Sequence, residues 1–266
     1  MQTIAKIHFK EDIMGILEGK VAVITGGGQG LGLGIAHVFG KEGAKVAILE
    51  INPETAKAFD KDMAERGYEA MSFVGDVTNK ECVTKFVDTV AEKWGTVDCD
   101  INCAGIYIPA SVMDTTDEIM YKTFNVSVMG SLYMMQACYP YFHKQQSGKV
   151  INWSSIAGNQ GIELHTAYSV SKAGLQGLTR VAALEWAKEN IQVNTLNPAG
   201  SSPLWKNWEA NQPKEMVEAF LDQIPAHRMG DAELDIGRAV AALCSDYCNW
   251  ITSRTIWVDG GQGATR

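Results

Sequence analysis

Tyr168 and Lys172 lie four residues apart, and Ser155 lies thirteen before Tyr168. Residues at a four-residue spacing share one face of a helix, which holds a phenol beside an ammonium. An unperturbed tyrosine titrates near pH ~10, so about one phenol in a thousand is ionised at neutral pH. A neighbouring cation favours the phenolate and lowers that value. The pair thus suits proton transfer, and a nearby serine hydroxyl can donate a hydrogen bond to the oxygen of a bound alcohol or ketone. Y-x-x-x-K is a common spacing, however, and equally describes a buried tyrosine with a solvated lysine. The elements carrying these residues must decide between the two.

Residues 149–172 read K-V-I-N-W-S-S-I-A-G-N-Q-G-I-E-L-H-T-A-Y-S-V-S-K. Val150, Ile151 and Trp153 suit a buried strand, with Ser154 and Ser155 where that strand ends. A loop containing Gly158 and Gly161 then leads into the tyrosine helix. Nearer the N-terminus, Val21 to Thr25 is an apolar, β-branched run of strand length. It breaks into G-G-G-Q-G-L-G at 26–32, and a helix continues to Gly43. Strand, glycine loop and helix are the context in which a glycine pattern binds phosphate: the backbone approaches closely, and the helix N-terminus offers free N–H groups. A second apolar run, 45–49, ends at Glu50, twenty positions past Gly30. An acid there is placed to hold the ribose hydroxyls of a dinucleotide; the bland alternative is a solvated loop carboxylate.

The alternation continues. Asn52 and Pro53 suit a helix cap and first turn. Strand 70–74 closes at Gly75-Asp76-Val77, and Thr78 and Asn79 start a helix that runs to Trp94. Strand 97–101 ends in Asn102-Cys103-Ala104-Gly105, and a long helical stretch from about 116 to 143 contains Asn125. Further strands are expected at 191–197 and 254–258. This order predicts a single-domain, Rossmann-like, doubly wound parallel sheet of about seven strands, with helices on both faces and the ligand at the strands' carboxyl ends. No internal repeat, low-complexity tract or linker interrupts it. Residues 20–266 read as one α/β domain after a short arm, 1–19, in which Ile13, Ile16 and Leu17 suit one amphipathic turn.

Composition narrows the partners. With 46% hydrophobic residues the chain can fill a large core, and its net charge of -8 argues against nucleic acid or an anionic membrane surface. No run approaches the ~18 apolar residues of a membrane span. The N-terminus lacks an apolar signal-peptide core, so a cytoplasmic location is expected. The six cysteines (82, 99, 103, 138, 244, 248) include two C-x-x-x-C spacings but no C-x-x-C, and the five histidines form no H-x-x-H cluster. Reduced structural thiols and no metal site are expected.

Taken together, T-G-x-x-x-G-x-G (25–32), Asp76, N-x-A-G (102–105), Asn125, Ser155, Tyr168 and Lys172, in that order, resemble the short-chain dehydrogenase/reductase superfamily in its compact form. The resemblance covers nearly the whole chain, from Lys20 to about Gly261. It implies that Tyr168 is the catalytic acid/base, that Lys172 lowers its pKa and holds the nicotinamide ribose, that Ser155 orients the substrate oxygen, and that Asn125 holds a proton-relaying water. It implies NAD as cofactor, with Gly26, Gln29, Gly30, Leu31 and Gly32 around the pyrophosphate. Glu50 would take the ribose, Asp76 and Val77 would border the adenine, and Asn102 and Gly105 would lie on the adenosine side. It also implies a homotetramer that pairs through the helices at about 116–143 and 166–188.

Two departures stand out. Cys103 replaces the family's usual second asparagine, and 198–203, P-A-G-S-S-P, lacks the usual glycine directly after the proline and the threonine that follows. Pro198 and Ser202 are then expected to make the carboxamide contacts. Residues 203–228 fit a variable substrate lid, in which Trp205, Trp208, Met216 and Phe220 either wall a bulky apolar pocket or pack the lid onto the body. Segments 137–142 and 230–238 resemble bacterial bile-acid hydroxysteroid dehydrogenases. The expected activity is therefore NAD(H)-dependent interconversion of a secondary alcohol and its ketone, a hydroxysteroid or other polycyclic alcohol being the substrate. A polyol or sugar dehydrogenase and a 3-oxoacyl reductase are the alternatives, and a non-catalytic dinucleotide sensor is a remote one.

Overall fold

In the computed structural model, which describes residues 15–263, seven strands form one parallel sheet. They are β1 (Val21–Thr25), β2 (Lys45–Glu50), β3 (Ala70–Val74), β4 (Cys99–Asn102), β5 (Gly148–Trp153), β6 (Ile191–Pro198) and β7 (Thr255–Val258), in the spatial order 3-2-1-4-5-6-7. Most of the expected arm, 1–14, lies outside the described residues.

Helices cover both faces because successive strand side chains point to opposite sides. Ala22, Ile24, Ile48, Ile101, Ile151 and Leu196 pack with α1 (Gly30–Lys41), α2 (Pro53–Glu65) and the later helix Arg238–Cys244. Val21, Val23, Leu49, Val150 and Val193 pack on the other side with α3 (Lys80–Trp94), α5 (Gly130–Gln145) and α6 (Thr166–Trp186). Strands this apolar on both faces belong in the middle of a three-layer sandwich.

The caps follow the sequence. Asn52 Oδ1 accepts from Glu54 N at 2.9 Å with Pro53 in the first turn, and Asn79 Oδ1 accepts from Cys82 N at 3.0 Å. The stretch read as one helix at 116–143 is α4 (Asp117–Phe124) joined to α5 by a wide turn, Asn125–Met129, whose hydrogen bonds run one residue further than in an α-helix. After β6 come two short helices, α7 (Pro203–Ala210) and α8 (Lys214–Leu221). A second wide turn, Ala232–Gly237, then leads into α9 (Arg238–Cys244). No described helix is long and apolar enough to cross a membrane.

Candidate active site

The sheet order reverses beside β1, whose neighbours are β2 and β4. Connections leave in opposite directions there and open a crevice at the strands' carboxyl ends, where open α/β sheets bind ligands. The loop from β1 to α1 forms one wall. Gly30 adopts φ +58°, and a Cβ on it would lie 2.7 Å from Pro203 Cδ; a Cβ on Gly32 would lie 2.3 Å from the Gly26 carbonyl oxygen. Both positions therefore require glycine, the first for its left-handed backbone as well as its space. Gln29 precedes α1 without a side-chain capping bond, so the first N–H groups of that helix remain available to an anion. Leu31 is half-buried; its Cδ2 would lie 2.7 Å from a Cβ on Gly200.

Glu50 ends β2 almost fully buried. Its Oε2 accepts from Gly28 N at 3.3 Å and its Oε1 from Asn52 N at 3.2 Å. The carboxylate is thus fixed beneath the glycine loop. Asp76 caps its own turn, accepting from Thr78 N at 2.8 Å, while Val77 packs against Gly130. Pro198 ends β6, and Ser202 Oγ accepts from Trp205 N at 3.2 Å to cap α7, leaving its own O–H free to donate. The open helix N-terminus, the glycine cradle and the anchored acid together fit a nicotinamide dinucleotide. Asn102 is different. Its Nδ2 donates to Asp100 Oδ2 (3.0 Å) and Asn152 Oδ1 (3.1 Å), and Asn152 Nδ2 donates to Thr179 Oγ1 (2.9 Å). Its amide nitrogen therefore belongs to a buried ladder tying β4 to β5 and α6, while its Oδ1 is buried without a hydrogen-bond partner. Burial raises the Asp100 carboxyl to about 7 against the opposing bond from Asn102.

The opposite wall carries the candidate proton-transfer residues. Ser155 follows β5 and accepts from Ala157 N at 3.2 Å, while Tyr168 and Lys172 stand on α6. Lys172 is almost wholly buried; Nζ donates to Trp153 O at 2.6 Å and lies 5.4 Å from the Tyr168 ring centroid. Burial lowers the Lys172 ammonium to about 8, with Cys103 pulling the other way. The same burial raises the Tyr168 phenol, partly offset by a hydrogen bond from Ser155. The depressed tyrosine read from the sequence is therefore not the state of the free protein: removing the phenolate from water outweighs its neighbours.

Asn125 is not brought to this cluster. It is exposed at the start of the wide turn, whereas Ser127 is fully buried with no hydrogen-bond partner for its hydroxyl. A Cβ on Gly105 would lie 3.3 Å from Lys172 Nζ and 3.6 Å from Ser127 Oγ, so these two groups border one gap that the glycine leaves open. Residues two apart on a helical turn point to nearly opposite sides; if Ser127 faces Lys172, Asn125 faces away. The buried, polar position in F-N-V-S-V-M-G was the signal that distinguishes them, and it needs a register that only the fold supplies.

Sequence reasoning also passed over His165. Its ring stacks on Tyr107 (centroids 4.3 Å apart, planes at 24°), and Tyr107 meets Tyr168 edge-on at 5.7 Å. Trp205, Trp208 and Phe220 pack on one another, with centroids 4.9–5.6 Å apart. Much of their ring surface is therefore spent within α7 and α8. A cavity of about 420 Å³ at the ends of β6 and β7, lined by Arg228, Gly230, Ile236 and Trp257, includes none of the proton-transfer residues. Among the described residues no cluster suited to a metal ion is present.

A family model described as enoyl-(acyl carrier protein) reductase matches residues 26–262. The chain is similar to a 12α-hydroxysteroid dehydrogenase of Clostridium sp., 36% identical over 94% of this chain and 99% of that protein. It is also similar to a diacetyl reductase [(S)-acetoin forming] of Staphylococcus epidermidis, 32% identical over 91% of this chain and 98% of that protein. Among solved structures, a levodione reductase superposes with a TM-score of 0.88 and 29% identity over 94% of this chain and 100% of that one.

Proposed function

We propose that this chain, which belongs to the short-chain dehydrogenase/reductase family, uses NAD(H) to interconvert a secondary alcohol and its ketone, with a hydroxysteroid or related polycyclic alcohol as substrate. The family makes it an oxidoreductase with a nicotinamide dinucleotide cofactor. The reaction rests on one observation: Ser155, Tyr168 and a buried Lys172 converge beside the crevice at the strands' carboxyl ends.

The chemistry of the chain's own groups follows from their protonation. In the oxidative direction the alcohol O–H donates to Tyr168 Oη, and Ser155 donates to the substrate oxygen. Tyr168, as the phenolate, accepts the proton as the alcohol carbon loses hydride, which is general base catalysis. Burial disfavours that ionised form in the free protein, and the positive charge of a bound oxidised nicotinamide would favour it. The Lys172 ammonium, with little water around it, stabilises the phenolate. The gap bordered by Lys172, Gly105 and Ser127 is the route by which that proton reaches solvent. Reduction runs these transfers backwards. The bound dinucleotide supplies hydride-accepting or hydride-donating capacity.

Glu50 supports NAD(H) over the phosphorylated cofactor. It is anchored by two backbone N–H groups, and the exposed Ile51 beside it offers no cation. Like charges ~4 Å apart at an effective dielectric of about 20 repel by roughly 4 kcal/mol, on the order of a thousandfold in affinity.

The hydroxysteroid relative and the apolar residues exposed in the two loops that meet at Ala110 and His165, Val112, Met113, Ile162 and Leu164, favour a bulky substrate over a small polyol. The acyl reductase alternative is weaker because Glu50 disfavours the phosphorylated cofactor, and the intact Ser155, Tyr168 and Lys172 set disfavours a pure sensor. Exposed apolar side chains on α6 (Val170, Val181, Leu184) support a homotetramer. The test is a screen of ketones and alcohols by nicotinamide absorbance with both cofactors. At least a hundredfold preference for NAD(H) and micromolar Michaelis constants for a polycyclic alcohol are expected; parity of cofactors, or turnover confined to polyols, overturns the corresponding part.

A further inference from the structure

Resting on that oxidoreductase reading, we propose that Tyr107 and His165 form a second polar anchor that binds a hydroxyl group of the substrate, so that the preferred substrates carry a hydroxyl besides the one being oxidised. Both residues are half-buried and lie against Tyr168: the Tyr107 ring is 5.7 Å and the His165 ring 6.0 Å from the Tyr168 centroid. The His165 tautomer is set by the main chain, since Nδ1 donates to Glu163 O at 2.7 Å. Neutral imidazole with its proton on Nδ1 presents Nε2 as an acceptor, and Nε2 has no partner among the described residues. Tyr107 Oη lies 3.5 Å from Nδ1, a nitrogen already engaged as a donor, so the phenol retains its own proton for another acceptor. Burial raises its pKa, which keeps it a phenol. One donor and one acceptor thus stand on the same stacked pair of rings. A hydroxyl, which both donates and accepts, satisfies them together: it donates to Nε2 and accepts from Tyr107.

The ring is also held in place independently of any ligand. It stacks on Tyr107, and the residue bridges to Ala110 through the backbone, while Thr166 Oγ1 donates to Ala110 O at 3.2 Å. Loops 103–116 and 156–165 are joined at this point, so the anchor is pre-organised and loses little freedom on binding.

The test compares matched alcohols in the NAD-loaded enzyme: cyclohexanol against cis-cyclohexane-1,3-diol, and 12α-hydroxy-5β-cholanoate against its 7α,12α-dihydroxy counterpart. A hydrogen bond to a ligand hydroxyl, or the loss of one, changes efficiency by roughly threefold to tenfold each. The ratio of kcat/KM for diol over mono-ol is expected to be at least about tenfold in the parent in one of the pairs. It should fall towards one in Tyr107→Phe, which keeps the stacked ring, and in His165→Phe. A parent ratio near one in both pairs, or a high ratio that both variants retain, overturns the anchor while leaving the oxidoreductase reading intact. No turnover of any of the four alcohols, with NAD binding retained, overturns the substrate reading and the anchor with it.

Discussion

Lys172 and His37 are both buried basic side chains, and the molecule treats them in opposite ways. His37, on α1, faces carboxylates with both ring nitrogens, Nδ1 with Glu233 Oε1 at 2.7 Å and Nε2 with Asp62 Oδ2. Arg66 completes the network, with Nε 3.2 Å from Asp62 Oδ1. Burial of Asp62 is outweighed by its bonds to His37 and Arg66, which hold its carboxyl low. Lys172 has no carboxylate at all, only the Trp153 carbonyl. One site pairs its basic groups with carboxylates and ties α1, α2 and the 232–237 turn together; the other keeps an under-satisfied cation beside a phenol. A buried charge without a partner is costly, and such a cost at a crevice marks chemistry rather than scaffolding.

Removing the reacting group is the strongest way to test that contrast. Tyr168→Phe is expected to lower kcat by about 10²–10⁴-fold, the usual range for a general acid–base group, with nicotinamide dinucleotide affinity nearly unchanged by fluorescence titration. Activity within tenfold of the parent would remove Tyr168 from its role.

Lys172→Met should separate function from stability: activity falls by about a hundredfold or more, yet the free protein becomes more stable. The sign follows from the lowered pKa. Lys172 titrates at about 8 when folded and near ~10.4 when unfolded. Between those values the unfolded chain binds more protons, so stability of the parent rises with pH across that window. Below it the whole cost is present, at most about 3 kcal/mol from the size of the shift. Denaturant midpoints should therefore favour the variant at pH 7 and converge by about pH 10. A variant less stable at pH 7 would mean the ammonium is better satisfied than its surroundings indicate.

His37→Gln is the counterpart. It removes the imidazole between Asp62 and Glu233, leaving Arg66 beside both, and should cost about 2 kcal/mol, less than for a fully buried pair because Asp62 and Glu233 are partly exposed. Its kcat should stay within threefold. A large loss of activity without loss of stability would erase the distinction between the two regions.

The smallest effects concern the proton route. Ser127→Ala should lower kcat by about tenfold and shift the pH profile, as expected for loss of one relay group, whereas Asn125→Ala should change neither. The reverse pattern would return Asn125 to the site.

Much of this was legible in the chain because it is local. Apolar, β-branched runs of strand length, Asn52 and Asn79 as caps, the glycine loop and the four-residue Tyr–Lys spacing are each set by backbone sterics and hydrogen bonding within a few residues, and strands and helices stand where those patterns put them, to within about two residues. The order of these motifs was enough to place the chain in its family. Tertiary structure alone decided the rest. Ser127 rather than Asn125 is buried beside the gap at Lys172 because the wide turn sets the rotation of that segment, and a pattern of neighbours along the chain does not encode it. Asn102 turns into the sheet because Asp100 on β4 itself and Asn152 on β5, the latter fifty residues on from Asn102, accept from it there. The direction of the Tyr168 pKa depends on how much water its surroundings exclude, and desolvation is a property of everything packed around a group rather than of the residues beside it.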